Sequence, residues 1–230
     1  MELVLQHPKP TSSISDVTLE IIRTKRGKTK TKVREFTRFK KNYTNGKFKS
    51  KSLTRFKSPK AVKDSGLLSW VYKNGQSDNW YFLPKLKTAK RVKGKDKAKS
   101  FMGTDFIYED LESRSLGVDS LSYIGVEYID SEHCHVIMAW PKGKSHYHSR
   151  KIWVNSQLQQ IVKIEFYTSE TELEKTLYVS NFIEDKGFIS PGKMVMVKGA
   201  TKKTVMIIES FRPNARLKDE IFSESFLIKI

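Results

Sequence analysis

Two short aromatic runs decide the fold of this chain: Gly66-Leu-Leu-Ser-Trp-Val-Tyr72 and Asn79-Trp-Tyr-Phe-Leu83, joined by a polar turn. Apolar residues occupy both odd and even positions of each run. Because successive side chains of a strand point to opposite faces of its sheet, both faces of these strands are predicted to be covered. We therefore expect an apolar cover over the second face, in the form of a helix, a partner or a ligand.

Strand signals extend from these runs in both directions. Alternating apolar residues and turn residues predict strands at 15–26, 29–40, 48–56, 123–129, 134–140, 150–155, 158–167, 176–183, 192–198 and 204–211. Arg26-Gly27 and Asn45-Gly46 predict hairpin turns. Strands at a spacing of about 8–12 residues with short turns predict an antiparallel meander, closed or nearly closed.

Few helices are predicted. Ser58 and Pro59 predict a single helical turn with Ser58 as its N-cap. The segment 101–116 is predicted to be a loop with a short helical turn, and 216–222 a short terminal helix. The chain is therefore expected to be mainly β, with one domain at 15–230 and an N-terminal extension, or the remnant of a lid, at 1–14.

Composition agrees with one folded domain. The 230 residues include 13 Phe, 9 Tyr and 4 Trp, which supply core volume. No run approaches the ~18 apolar residues of a membrane span. The single cysteine, Cys134, excludes an intrachain disulfide and is predicted to be buried in a strand. Residues 1–8 lack the features of a signal peptide, which leaves either a cytosolic chain or a mature exported one.

Positive charge is concentrated in the first part of the chain. Residues 1–100 carry 27 Lys and Arg against 7 Asp and Glu, whereas residues 101–230 carry 16 against 18. Alternation within the strands at 29–40 and 48–56 predicts about ten cations on one sheet face. The cations expected to contact an anionic surface are Lys30, Lys32, Arg34, Arg38, Lys49, Lys51 and Arg55.

Three interpretations of this basic face remain open. It is a solvated outer face, a contact surface for phospholipid headgroups, lipopolysaccharide or an acidic partner, or a nucleic-acid surface. Sheets that bind nucleic acid interleave aromatic residues with cations. Only Phe36 does so here, and no nucleic-acid partner is predicted.

Several blocks resemble the outer-membrane lipoprotein-sorting protein family, the LolA-like proteins. The blocks are Gly66-Leu-Leu-Ser-Trp70, Trp80-Tyr-Phe-Leu-Pro-Lys-Leu-Lys87, Arg91-Val92, Ser100-Phe-Met-Gly-Thr-Asp-Phe-Ile-Tyr-Glu-Asp-Leu111, Cys134-His-Val-Ile137, Trp153-Val-Asn155 and Asp219-Glu-Ile-Phe-Ser223. The resemblance covers roughly residues 15–226. It implies a single strongly curved antiparallel sheet that forms a half-open β-barrel, with short helical segments at one mouth and an apolar cavity for acyl chains. It implies no enzyme activity and a periplasmic location. Only about fourteen residues precede the first predicted strand, so a full lid helix is not expected.

Aromatic and methionine side chains are expected either to fill the core or to line this cavity. The predicted lining residues are Trp70, Tyr72, Trp80, Phe82, Phe101, Phe106, Tyr108, Met138, Trp140 and Trp153.

Two further sets of polar residues have side chains that could support chemistry. A histidine set (His133, His135, His146 and His148) flanks one hairpin and suggests either a metal site or a polar hairpin end. An acidic set (Asp105, Glu109 and Asp110) suggests either a paired-carboxylate mechanism or a loop that bonds its own backbone and pairs with Arg91 or Arg114. Neither set predicts a metal, a cofactor or catalysis.

The predicted function is a periplasmic carrier or chaperone. It would bind lipoprotein acyl chains or another lipid without covalent chemistry, and pass them between membrane components. Its basic face would contact an anionic membrane, and a possible partner is an inner-membrane transporter. The first alternative is an accessory subunit of an inner-membrane exporter that binds no free lipid. The second is a cytosolic nucleic-acid binder, and an enzyme comes third.

Overall fold

The chain folds into strands over most of its length. A computed structural model describes residues 8–93, 96–111 and 117–229. The strands are β1 (Ser12–Lys25), β2 (Lys28–Asn42), β3 (Phe48–Ser58), β4 (Gly66–Tyr72), β5 (Ser77–Leu83), β6 (Thr88–Arg91), β7 (Asp119–Ile129), β8 (Glu132–Pro141), β9 (Ser149–Asn155), β10 (Gln160–Tyr167), β11 (Leu173–Ser180), β12 (Ile183–Asp185), β13 (Phe188–Ser190), β14 (Lys193–Lys198) and β15 (Lys202–Pro213). Short 3₁₀ helices lie at Pro84–Leu86, Tyr108–Leu111 and Asp219–Phe222, and an α-helix, α1, at Glu224–Leu227.

Thirteen of these strands form one open antiparallel sheet. Their order is β6-β5-β4-β3-β2-β1-β15-β14-β11-β10-β9-β8-β7, while β12 and β13 form a separate hairpin. The single antiparallel sheet and the mainly β class are confirmed. The sheet does not close through β6 and β7, which are its two edges; instead the first strand pairs with the last, at the centre. Within the described residues no helix is long and apolar enough to span a membrane.

The connection between the two edges packs on one face of the sheet, here called the inner face. Phe101, Phe106 and Ile107 of this connection are buried together with Val17 and Phe36. The same cluster includes Leu19, Phe56, Leu67, Tyr147, Phe166, Met196, Met206 and Ile208. The connection therefore supplies apolar cover for the inner face.

A second core lies on the opposite, outer face of β3, β4 and β5. Leu53, Leu68, Trp80 and Phe82 pack there against Phe222, and Leu227 of α1 completes the cluster. The Trp70 ring N–H donates to the Phe222 carbonyl oxygen at 2.8 Å. The apolar cover expected over the second face of the aromatic runs is thus the C-terminal segment of the chain itself.

Several local predictions differ from the structure. Ser58 is not a helix N-cap, because β3 continues to Ser58 and its hydroxyl donates to Glu35 at 3.0 Å; a cis Ser58–Pro59 bond leads into a turn. The terminal helix predicted at 216–222 is split into a 3₁₀ helix and α1, which lie over the outer face. The hairpin of β12 and β13 was not predicted. Cys134 is buried in β8, as predicted. Residues 1–7 of the predicted extension lie outside the described residues.

We expect Phe222→Ala to lower the free energy of unfolding by about 3–5 kcal/mol, because it empties a buried ring site and leaves a cavity. Phe222 is only 1% exposed. Denaturant unfolding measures the change, with Ile228→Ala as the matched control because Ile228 is 44% exposed. If both variants had the same free energy of unfolding, the C-terminal segment would not stabilise the fold through the packing of Phe222.

Candidate ligand cavity on the inner face

A cavity of ≈ 290 Å³ lies between the inner face and the connection that crosses it. Its apolar lining residues are Val17, Phe36, Leu67, Phe101, Phe106, Leu111, Leu177, Pro191, Met194, Met206 and Ile208. Its polar and charged lining residues are Ser15, Arg38, Lys40, Ser52, Thr54, Ser69, Asn79, Asp110 and Ser190. The cavity volume is close to the lower end of the ~300–1,000 Å³ that is usual for small-molecule sites.

A tight turn presents the two aromatic rings of the connection to this cavity. Met102 and Gly103 both have positive φ, 51° and 77°, a conformation that glycine adopts without cost. The Phe101 N–H donates to the Phe106 carbonyl at 2.8 Å and closes the turn. The Thr104 hydroxyl donates to the Phe101 carbonyl at 2.6 Å. The Phe-Met-Gly-Thr-Asp-Phe block is therefore a structural unit that positions both rings.

Asp105 anchors this turn to the centre of the sheet. Its carboxylate accepts from Arg23 of β1 at 2.8 Å and from the Thr204 hydroxyl of β15 at 2.7 Å. The Asp105 N–H donates back to the Thr204 hydroxyl at 3.0 Å. Arg34 adds a hydrogen bond to the Met102 carbonyl. The turn is thus held by groups of three neighbouring strands.

The next two carboxylates anchor the connection to the other half of the sheet. Glu109 accepts from Arg150 at 2.6 Å and from the Ser145 hydroxyl at 2.5 Å. Asp110 accepts from Lys175 at 2.6 Å and from the Tyr147 hydroxyl at 2.7 Å. Burial, followed by the negative charge of Asp110, raises the pKa of Tyr147 well above its ordinary range.

These contacts correct the predicted partners of the acidic set. Asp105, Glu109 and Asp110 pair with Arg23, Arg150 and Lys175. Arg91 instead pairs with Asp78, and Arg114 lies outside the described residues. Each carboxylate forms an ion pair with a cation of the sheet. This arrangement favours a role in which the acidic set positions the connection on the inner face.

The predicted single basic face is wrong, because cations of β2 and β3 point to opposite faces. Arg38 of β2 lies opposite Thr54, and Thr37 opposite Arg55. Alternation then places Arg34 and Arg38 on the inner face, with Lys30 and Lys32 on the same phase but exposed. Lys51 and Arg55 lie on the outer face. Lys51 sits over the rings of Phe48 and Trp70, and Arg55 donates to the Phe226 carbonyl at 3.1 Å. Lys49 lies at a β-bulge, half-buried.

Two β2 cations line the cavity itself. Arg38 and Lys40 are half-buried, and burial lowers the pKa of both groups. For Lys40 the pKa falls from 10.5 to about 7, first because of burial and then because of repulsion from Arg38, Lys9 and Lys49. A lysine of this kind changes charge near neutral pH.

Only part of the predicted aromatic set reaches the cavity. Phe101 and Phe106 line it, and Tyr108 packs edge-on to Phe101 with ring centroids 5.8 Å apart. The residues that strand register places on the outer face are Trp70, Tyr72, Trp80, Phe82, Met138, Trp140 and Trp153. The first four belong to strands whose outer face the C-terminal segment covers, and Trp153 packs with Cys134 and Val136. These seven residues are therefore not lining residues.

The histidines are divided between two places. His133 and His135 are neighbours at the start of β8, with ring centroids 5.4 Å apart. His146, in the loop beyond the end of β8, pairs with Glu174 at 2.9 Å. Among residues 8–93, 96–111 and 117–229, no three His, Cys, Asp or Glu side chains form a potential metal site.

Sequence comparison places most of the chain in one family. A family model described as "Uncharacterized protein" matches residues 49–229. The chain belongs to that family. A comparison with curated proteins gives no match.

Solved structures show which fold this is. A domain from Vibrio parahaemolyticus, described as an outer membrane lipoprotein-sorting protein domain, is 24% identical, with a TM-score of 0.90 over 99% of this chain and 96% of that one. A DUF1329 family protein from Desulfovibrio piger is 25% identical, with a TM-score of 0.90 over 98% and 96%. A LolA superfamily protein from Nitrosomonas europaea is 19% identical, with a TM-score of 0.73 over 98% and 96%. The resemblance to lipoprotein-sorting, LolA-like proteins is confirmed as a similarity of fold.

The lowered pKa of Lys40 predicts a pH-dependent stability. Between pH ~7 and ~10.5 the unfolded chain binds the Lys40 proton and the folded chain releases it, so the free energy of unfolding rises with pH across this window. At pH 7 we expect Lys40→Met to raise the free energy of unfolding by ~1–3 kcal/mol, less than the full shift because the side chain keeps solvent contact.

Denaturant unfolding at several pH values measures this effect. The stability difference between Lys40→Met and the wild type is expected to shrink as the pH rises from 7 to about 10. Lys142→Met, at an exposed loop lysine, is the matched control and should change stability by less than ~0.5 kcal/mol. Parallel pH profiles of the wild type and Lys40→Met would refute the assignment.

Proposed function

We propose that this protein is a non-covalent carrier for an acyl chain, held in the inner-face cavity. The observation that carries the proposal is a cavity of ≈ 290 Å³, lined largely by apolar side chains, in a LolA-like fold. In this proposal residues 15–230 form one carrier domain whose sheet curves as a half-open barrel. The cargo is the acyl part of a lipoprotein or a phospholipid.

The chemistry of the lining suits a flexible chain. Burial of apolar surface contributes about 0.8 kcal/mol per methylene group, before the costs of ordering the ligand. Met194 and Met206 line the cavity, and unbranched thioether side chains adapt to several ligand shapes. Such a lining favours an acyl chain over a ligand that needs many directional contacts.

Location and delivery form part of the same proposal. Transfer between membrane components requires a periplasmic site of action and approach to an anionic surface. The exposed cations of the hairpin between β1 and β2 suit this approach; they include Lys25, Arg26, Lys28, Lys30 and Lys32. Each can contribute about 1 kcal/mol near an anionic membrane.

A second candidate function is that of an accessory subunit of an inner-membrane exporter. The edge strand β7 favours it, because Tyr123 is 61% and Tyr128 70% exposed, and Ile124 and Val126 are exposed beside them. A long apolar edge strand is suited to pairing with a partner. In this alternative the protein binds its partner and no free lipid.

Filling the cavity should abolish binding of an apolar probe. We expect Leu177→Trp to weaken uptake of the neutral fluorophore N-phenyl-1-naphthylamine at least about tenfold, because the larger ring occupies the cavity. Tyr178→Trp is the matched control: Tyr178 is the next residue of β11 and points to the opposite face. Fluorescence titration of both variants measures the effect.

Native mass spectrometry of the purified protein, followed by organic extraction, separates the two functions. A bound lipid supports the carrier. A clean apo mass, no probe uptake by the wild type and a membrane partner recovered in detergent would replace the carrier with the accessory subunit.

A further inference from the structure

Polar residues of the cavity form an ordered row across four neighbouring strands. Lys40 of β2 lies opposite Ser52 of β3, Ser52 opposite Ser69 of β4, and Ser69 opposite Asn79 of β5. All four residues line the cavity. Directly opposed residues have Cβ atoms ~4.5–5.5 Å apart. The row is therefore continuous along one border of the cavity.

The next row still carries polar side chains, and the lining becomes apolar in the row after it. Arg38 lies between Ser15 of β1 and Thr54 of β3. The next row in the same direction places Phe36 opposite Val17. Two residues of a strand span only ~7 Å. The cavity is thus amphipathic, with cations and hydroxyl groups at one end and apolar side chains at the other.

The polar end carries positive charge that no carboxylate of the described residues neutralises. Asp110 is the one carboxylate among the described lining residues, and it pairs with Lys175 at 2.6 Å. Within residues 8–93, 96–111 and 117–229, neither Arg38 nor Lys40 makes an ion pair or a side-chain hydrogen bond. Two half-buried cations beside each other are costly unless an anion joins them.

We propose that this polar row binds the oxyanion head group of an amphiphile, a carboxylate or a phosphate, while its chain lies against Phe36, Leu67 and Met206. The inference rests on the proposed carrier function and names the chemical class of its cargo. Charge-assisted hydrogen bonds from Arg38 and Lys40, with the hydroxyl groups of Ser52 and Thr54, match the several acceptor sites of an oxyanion. Two cations in a half-buried site attract an anion more strongly than two exposed cations do.

Matched ten-carbon amphiphiles test the head-group preference. Decanoate, decyl phosphate, 1-decanol and decyltrimethylammonium are titrated against the full chain loaded with N-phenyl-1-naphthylamine, below their micelle concentrations. We expect the two anions to displace the fluorophore at concentrations at least about tenfold lower than 1-decanol, and the cation to be the weakest. A preference between decanoate and decyl phosphate identifies which oxyanion the site takes.

Variants at the polar end assign the effect to these residues. Lys40→Met and Arg38→Met should each weaken the anions about five- to tenfold and leave 1-decanol unchanged, while Lys142→Met should change neither. The unchanged 1-decanol affinity shows that each variant is folded.

The pH profile gives an independent readout. Decanoate affinity of the wild type should fall about three- to sixfold between pH 6.5 and 8.5, as the free Lys40 loses its proton. Lys40→Arg, which stays charged, should bind decanoate with little pH dependence.

The two levels of the hypothesis fail in different ways. Equal affinity for all four head groups, or anion binding unchanged in both methionine variants, would overturn the head-group site and leave the carrier standing. Absence of fluorophore uptake and of binding by every amphiphile would overturn both.

Discussion

The structure depends on one topological constraint: the chain must pass from β6 to β7, which are the opposite edges of a thirteen-stranded sheet. Twelve strand spacings of ~4.8 Å amount to ~58 Å across a flat sheet. The connection includes a tight turn at 101–106 and a 3₁₀ helix at Tyr108–Leu111, so it is far from extended. The connection makes this crossing along the inner face, where Phe101, Phe106 and Ile107 are buried against the sheet.

Charge fixes the path of that crossing. Asp105 and Glu109 are buried, the side chain of Asp110 is only 3% exposed, and each of the three carboxylates pairs with a cation from a different strand. Removing one member of such a buried pair would leave an uncompensated charge, which is costly. Apolar contacts of Phe101 and Phe106 alone would permit sliding along the inner face, since burial is not directional. The ion pairs specify one register of the connection, and with it the boundaries of the cavity.

The sequence predicted the strands well because alternation and turn residues are local signals. The prediction assigned the cations of β2 and β3 to the same face of the sheet. This was wrong because the register between the two strands differs by one residue from the predicted one. A two-residue turn at Asn45-Gly46 would pair Lys40 with Lys51 and place the cations of β2 and β3 together. The structure has a longer loop between Asn42 and Phe48, and Lys40 pairs with Ser52. A slip of one residue moves every side chain to the other face. The turn at Arg26-Gly27, by contrast, fixes β2 against β1 and already implies that Phe36 and Arg38 share a face with Val17.

The sequence predicted an apolar cavity but assigned most of its lining to the wrong face of the sheet. Aromatic density pointed to Trp70, Trp80 and Phe82, yet the C-terminal segment covers that outer face with Phe222 and Leu227. Once the chain covers its own aromatic runs, the face left for a ligand is the one whose lining includes Arg38 and Lys40. Half-buried cations at such positions lower the stability of the free protein. Residues that lower stability in this way are typical of functional sites. An anion that neutralises them would stabilise the folded chain by mass action. Burial of these cations therefore links the stability of the protein to occupation of its cavity.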